Sequence, residues 1–124
     1  MNTTPRTVTL ATLDAGEVTL PEPSWCAGHA DHRPDTYRVD LSHDSEPTVL
    51  TLDGYPAGEL MISQAPFSEA GPRSPRGFLA LSYGQDRPRD PAELYDLAAV
   101  LESHADALRA LADRLHAILS GSER

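Results

Sequence analysis

Apolar and polar positions alternate in short period-two runs from Thr7 to Tyr83 and recur at helical spacing from Asp90 onward. This predicts a β-rich first part followed by one long terminal helix. Thr7-Val8-Thr9-Leu10 and Glu17-Val18-Thr19-Leu20 flank Asp14-Ala15-Gly16, whose glycine suits a positive φ, and so predict a hairpin. Tyr37, Val39, Leu41 and His43 alternate with Arg38, Asp40, Ser42 and Asp44, the pattern of a strand with one buried and one wet face. Its expected partner is Thr48 to Leu52, across an Asp44-Ser45-Glu46-Pro47 turn. Asp53-Gly54 closes that strand, and Leu60 to Ser63 and Phe78 to Tyr83 supply two more. Pro66 to Gly77 has no periodicity and is expected to be a mobile loop adding little to the core. The fold class expected is α+β, an antiparallel sheet of about 5–6 strands with one long C-terminal helix.

The helix, expected over 90–119, has its own punctuation. Asp90-Pro91-Ala92-Glu93 combines an N-cap aspartate, a proline at the first helical position and a glutamate three residues after the cap, and Ser120-Gly121 ends it. Leu94, Leu97, Leu101, His104, Leu108, Leu111, Leu115 and Ile118 are spaced alternately by three and four, a heptad seam with one polar member. Two arrangements bury such a seam. The helix can lie across its own sheet, against Val8, Val18, Val39, Leu50 and Phe78, or it can pair with a second copy, which its length favours and which Ala98, Ala105 and Ala112 would allow to approach closely. A homodimer through this helix is the partner expected, with His104 either facing its copy in a parallel pair or lying at the solvated edge of the seam.

Composition narrows the setting. At 124 residues the chain fits a single domain, 1–124, with a β-rich part over 7–83, a Trp-Cys-His segment over 21–43, and the helix. The net charge of −9, with arginines scattered singly, argues against a nucleic-acid partner. No apolar stretch approaches the ~20 residues of a membrane span, so no membrane partner is expected. Met1-Asn2-Thr3-Thr4-Pro5-Arg6 lacks a charged region followed by an apolar one, and Cys26 is the single cysteine, so the setting expected is the reducing cytoplasm.

The residues that carry chemistry cluster in Pro21-Glu22-Pro23-Ser24-Trp25-Cys26-Ala27-Gly28-His29-Ala30-Asp31-His32, with His43 beyond. Cys26 and His29 have the spacing of a metal knuckle, and Gly28 lets the backbone bend so that thiolate and imidazole converge. His43 is expected on the inward face of its strand, close enough to join them. Sulfur with imidazole nitrogen favours Zn²⁺. The candidate ligands are Cys26, His29, His43 and His32, with Glu22, Asp31 or water as alternatives for the fourth position. The plain alternative is a small buried cysteine beside Trp25 and two ordinary loop histidines.

Pro23-Ser24-Trp25-Cys26, the following histidines and the Pro-Ala-Glu-started helix resemble an uncharacterised family of small actinobacterial proteins, over nearly the whole chain. In that family the segment commonly reads Cys-Pro-x-Trp-Cys, which puts a second cysteine near the position held here by Glu22. The resemblance implies a metal-knuckle fold and no reaction.

Together these features point to a small non-enzymatic interaction or regulatory accessory protein, zinc-stabilised and dimerising. The enzymatic alternative uses the same Cys26, His29 and His43 cluster, as a metal-dependent hydrolase or as a thiol enzyme with Asp31 or Asp40 orienting the base.

Overall fold

The computed structural model of the chain describes residues 6–82 and 87–121. The first five residues, Tyr83 and Gly84 to Asp86, on which parts of the sequence reading fell, lie outside them. The fold is α+β: strands β1 (Thr7–Thr12), β2 (Gly16–Pro21), β3 (His43–Asp44), β4 (Thr48–Leu52), β5 (Tyr55–Gln64) and β6 (Arg76–Leu81), then one helix, α1 (Pro91–Leu119).

β1 and β2 form the expected hairpin, with Thr9 opposite Thr19. Gly16 takes φ 66° at the turn, and the Thr12 hydroxyl both donates to the Gly16 carbonyl (2.7 Å) and accepts from the Ala15 N–H (3.0 Å). Leu10 and Leu20 face inward from this ribbon and pack with Leu41, with Val8, Val18 and Phe67 around them.

The Tyr37 to Asp44 stretch departs from its alternation. Arg38–Asp40 is a turn of 3-10 helix, and only His43–Asp44 is strand. The reason lies in the hairpin tip: the Asp14 carboxylate accepts the Arg38 N–H (2.9 Å) and Leu13 N–H donates to the Thr36 carbonyl (2.9 Å), so this backbone finds partners outside any ladder. Nor does β4 pair with β3. Both pair with β5, which is also hydrogen-bonded to β6. Ser63 pairs with Asp44 on one side and Arg76 on the other, so β3 and β4 share one edge of β5 and β6 takes the other. Asp44-Ser45-Glu46-Pro47 is therefore an interruption along that edge, not a reversal, with Ser45 N–H bonded to the Ile62 carbonyl and the Ile62 N–H to the Ser45 hydroxyl. Asp53 (φ 54°) and Gly54 (φ 80°) make the β4–β5 reversal in the conformation that tight hairpins prefer.

The loop expected from Pro66 to Gly77 ends at Pro75, because Arg76 and Gly77 already pair with Ser63 and Ile62 in β6, and it is less idle than its composition implies. Phe67 packs on the hairpin core under the Arg38 guanidinium, 3.8 Å from its ring centre, and Arg73 donates to the Ser68 carbonyl.

α1 begins with the predicted capping box, Asp90 and Glu93 each accepting the other's backbone N–H. Arg87 bridges Glu93 and Asp53, tying the helix start to the β4–β5 turn. The helix lies on its own sheet, contacting β4, β5 and β6, with Leu111 and Leu115 over Gly77. His104 is no solvated edge: it is the buried residue of the helix, 7% exposed, and its Nε2–H donates to the Thr51 carbonyl (3.2 Å). Leu94, Leu101 and Leu108 remain exposed at 53%, 42% and 37%.

Candidate metal centre

Three pieces of chain converge beside the hairpin. Glu22 directly follows β2, its N–H continuing the ladder to the Arg6 carbonyl (2.9 Å). Residues 23–29 then fold back: the Cys26 N–H reaches the Pro23 carbonyl (3.1 Å), and the Ala27 N–H donates to the Asp44 carbonyl (2.9 Å), pinning the segment to β3. Gly28 takes φ 104°, which lets its N–H point at the Cys26 sulfur (3.4 Å) while His29 turns back toward the same atom. His43 arrives from β3, where the parity that buries Leu41 and Ser45 also turns its ring inward.

Glu22 Oε1, Cys26 Sγ and one ring nitrogen each of His29 and His43 lie within 4.8 Å of one another. Cys26 Sγ is 3.6 Å from His29 Nε2, which is 2.7 Å from Glu22 Oε1, and that oxygen is 3.7 Å from His43 Nδ1. An ion with tetrahedral bonds of ~2.0–2.3 Å holds its ligand atoms roughly 3.3–3.6 Å apart. Among the described residues His43 Nδ1 is the buried side-chain nitrogen without a hydrogen-bond partner. A native fold rarely leaves such an atom unsatisfied, and a cation at the centre of these four groups would satisfy it. Trp25, 5% exposed, walls the site with an edge-on contact to His43 (6.3 Å between ring centres).

Burial and mutual contact shift three of the four groups. Burial and the facing His29 push His43 below its ordinary value, against the pull of Glu22 and the Pro21 backbone, which keeps the imidazole neutral as a ligand must be. Burial opposes ionisation of Glu22, but hydrogen bonding from Cys26 and the charge of His29 outweigh it and hold the carboxyl low. Burial and the hydrogen bond to Glu22 push the Cys26 thiol up, so without a cation it stays protonated.

Of the residues singled out from sequence, Cys26, His29 and His43 are brought together. His32 is not: its Nε2–H donates to the Ala11 carbonyl (2.8 Å) and holds the loop against β1. Glu22 takes the fourth position, and Asp31 lines a neighbouring cleft of about 600 Å³ instead. That cleft reaches His29 but neither Cys26, His43 nor Glu22.

A family model described as a domain of unknown function, DUF6907, matches residues 7–117. The chain belongs to the DUF6907 family. No curated protein and no solved structure matches it. The match takes in every strand described and nearly all of the helix, so Glu22, Cys26, His29 and His43 all lie inside the DUF6907 domain.

Proposed function

We propose that this DUF6907 chain is a small non-enzymatic interaction protein, self-associating and stabilised by one structural Zn²⁺ held by Glu22, Cys26, His29 and His43. The observation that carries the zinc reading is the buried His43 Nδ1, unpartnered and facing a carboxylate, a thiol and a second imidazole. Sulfur and nitrogen donors select zinc over hard cations, and four protein ligands leave no position for a water to be activated. A bound ion would join the end of β2, the knuckle and β3 through four side chains at once, so its binding energy becomes folding energy.

A thiol enzyme fits less well. Cys26 is pushed toward its neutral form, and the neighbouring cleft of about 600 Å³ does not reach it. The interaction reading rests on apolar surface left uncovered, including Leu94, Leu101 and Leu108 on α1 and Phe78, Leu79 and Leu81 on β6.

Elemental analysis of untagged protein, with a Cys26→Ala variant, tests the zinc reading. About one zinc per chain, lost in the variant together with several degrees of Tm, supports it. Absence of zinc after purification and zinc titration refutes it.

A further inference from the structure

The four-stranded sheet has two edges, and they are treated differently. The β3–β4 edge carries Asp44, Glu46 and Pro47, and its register slips between Leu50 and Thr51. Such charges, prolines and irregularities stop an edge from recruiting another strand. The β6 edge has none of them over Gly77-Phe78-Leu79-Ala80-Leu81, its pairing with β5 runs without a register slip, and all its residues are exposed.

β6 also matches itself. In an antiparallel pair of two β6 strands with Phe78 opposite its copy, Arg76 falls opposite Ala80 and Gly77 opposite Leu79. From Arg76 to Ala80 each large side chain then meets a small one, except at the axis, where two phenylalanines form a cross-strand aromatic pair, and Leu81 falls opposite Pro75, where the shared ladder ends. On the helix-facing side, Leu79 of the second copy lands beside Gly77, above which stand Leu111 and Leu115. On the other side the match is one of charge. Glu59 of β5 pairs with Ala80, and Arg76 of β6 pairs with Ser63, so within one chain the two are kept apart. Both are exposed, and neither side chain is in an ion pair or hydrogen bond among the described residues. In the paired arrangement Arg76 of one copy lies two strand spacings, roughly 10 Å, from Glu59 of the other, with only the small Ala80 between them. Extended side chains span that distance, and the two-fold axis makes the contact twice.

We propose that β6 pairs with β6 of a second copy, antiparallel about Phe78, joining two four-stranded sheets into one. This rests on the self-association reading above and assigns it to the sheet edge instead of the exposed flank of the helix.

Sedimentation equilibrium of the full zinc-supplemented chain, up to tens of micromolar, tests it with four variants at exposed positions. The dimer should be abolished by Phe78→Lys, which places two charges on the axis, and left unchanged by Leu101→Lys. Arg76→Glu and Glu59→Arg should each weaken it by roughly three- to tenfold, and the double exchange should restore it. Circular dichroism confirms that each variant is folded. A folded monomer throughout overturns the self-association reading and this inference together. A dimer lost in Leu101→Lys but kept in Phe78→Lys overturns the inference alone and returns the interface to the helix.

Discussion

Glu22 Oε1 sits 2.7 Å from His29 Nε2 and 3.7 Å from His43 Nδ1, bridging two imidazoles that come from a loop and a strand fourteen residues apart in the chain. As a zinc ligand this carboxylate is a harder donor than a thiolate, so Glu22→Cys should keep the site and tighten it, while Glu22→Ala should open it. We expect Glu22→Ala to weaken zinc binding by at least the roughly 10–100-fold that even outer-shell partners contribute. Competition titration against a chromogenic chelator measures both. Equal affinity in all three proteins would remove Glu22 from the ligand set.

The same cluster sets the pH response of the metal-free chain. His43 is depressed below 6.5, so as pH falls through that value the unfolded chain gains a proton that the fold resists, and stability drops. Glu22, held below 4.5, adds a second loss in acid, since its carboxylate form is the one the fold favours. Cys26 is raised above 9.0, so stability also falls as pH climbs past 9, where only the unfolded chain releases that proton readily. Tm measured in chelator should therefore plateau between about 6.5 and 9 and decline on both sides. With zinc bound the acid limb should steepen, because protons compete with the metal for the same atoms. A Tm that rises on acidification below 6.5 would contradict the burial of His43.

Gly58 offers a test of the sheet alone. A Cβ there would run into the Ala80 carbonyl oxygen and lie 3.2 Å from the Leu81 Cα, both backbone of β6 and neither free to yield. Gly58→Ala should cost about 1–3 kcal/mol through overpacking, read as a shift in the urea midpoint. Because β6 is displaced, its effect on self-association should exceed that of an alanine placed at Gly71, where the nearest neighbour is a side-chain hydroxyl at 3.7 Å.

What could be read from sequence was what local signals specify. The hairpin turn has Gly16 at φ 66°, and the helix start has Asp90, Pro91 and Glu93 at fixed offsets, so both were legible. Residues 41–45 did keep their in-out parity, which placed His43 inward. Parity says nothing about pairing, however, and the partner of β3 lies on β5, with His43 opposite Gln64 and Asp44 opposite Ser63, a pairing that Ser45 extends to Ile62. The Tyr37 to Asp40 half failed because a single distant carboxylate, Asp14, captured its backbone. In the candidate site, knuckle spacing marked Cys26 and His29. Glu22 was one carboxylate among several, and its one distinguishing mark was the cysteine found near that position in the family it resembles. His32 misled by adjacency, since the chain turns again after His29, with the His32 N–H on the His29 carbonyl (3.0 Å).

His104 separates the two fates of the helical seam. Were α1 to pair with a parallel copy across that seam, His104→Leu would complete an apolar heptad and tighten the dimer. Docked as it is, His104 spends its Nε2–H on the Thr51 carbonyl beneath the helix. His104→Ala then removes a buried ring and a hydrogen bond together, and should cost about 1–3 kcal/mol. His104→Leu keeps the volume while giving up the bond to Thr51, and should cost less, with no change in sedimentation behaviour. Chemical denaturation and sedimentation of the same two variants decide the point. If His104→Leu strengthened association while Tm stayed constant, the seam would be an interface between chains and not the underside of a docked helix.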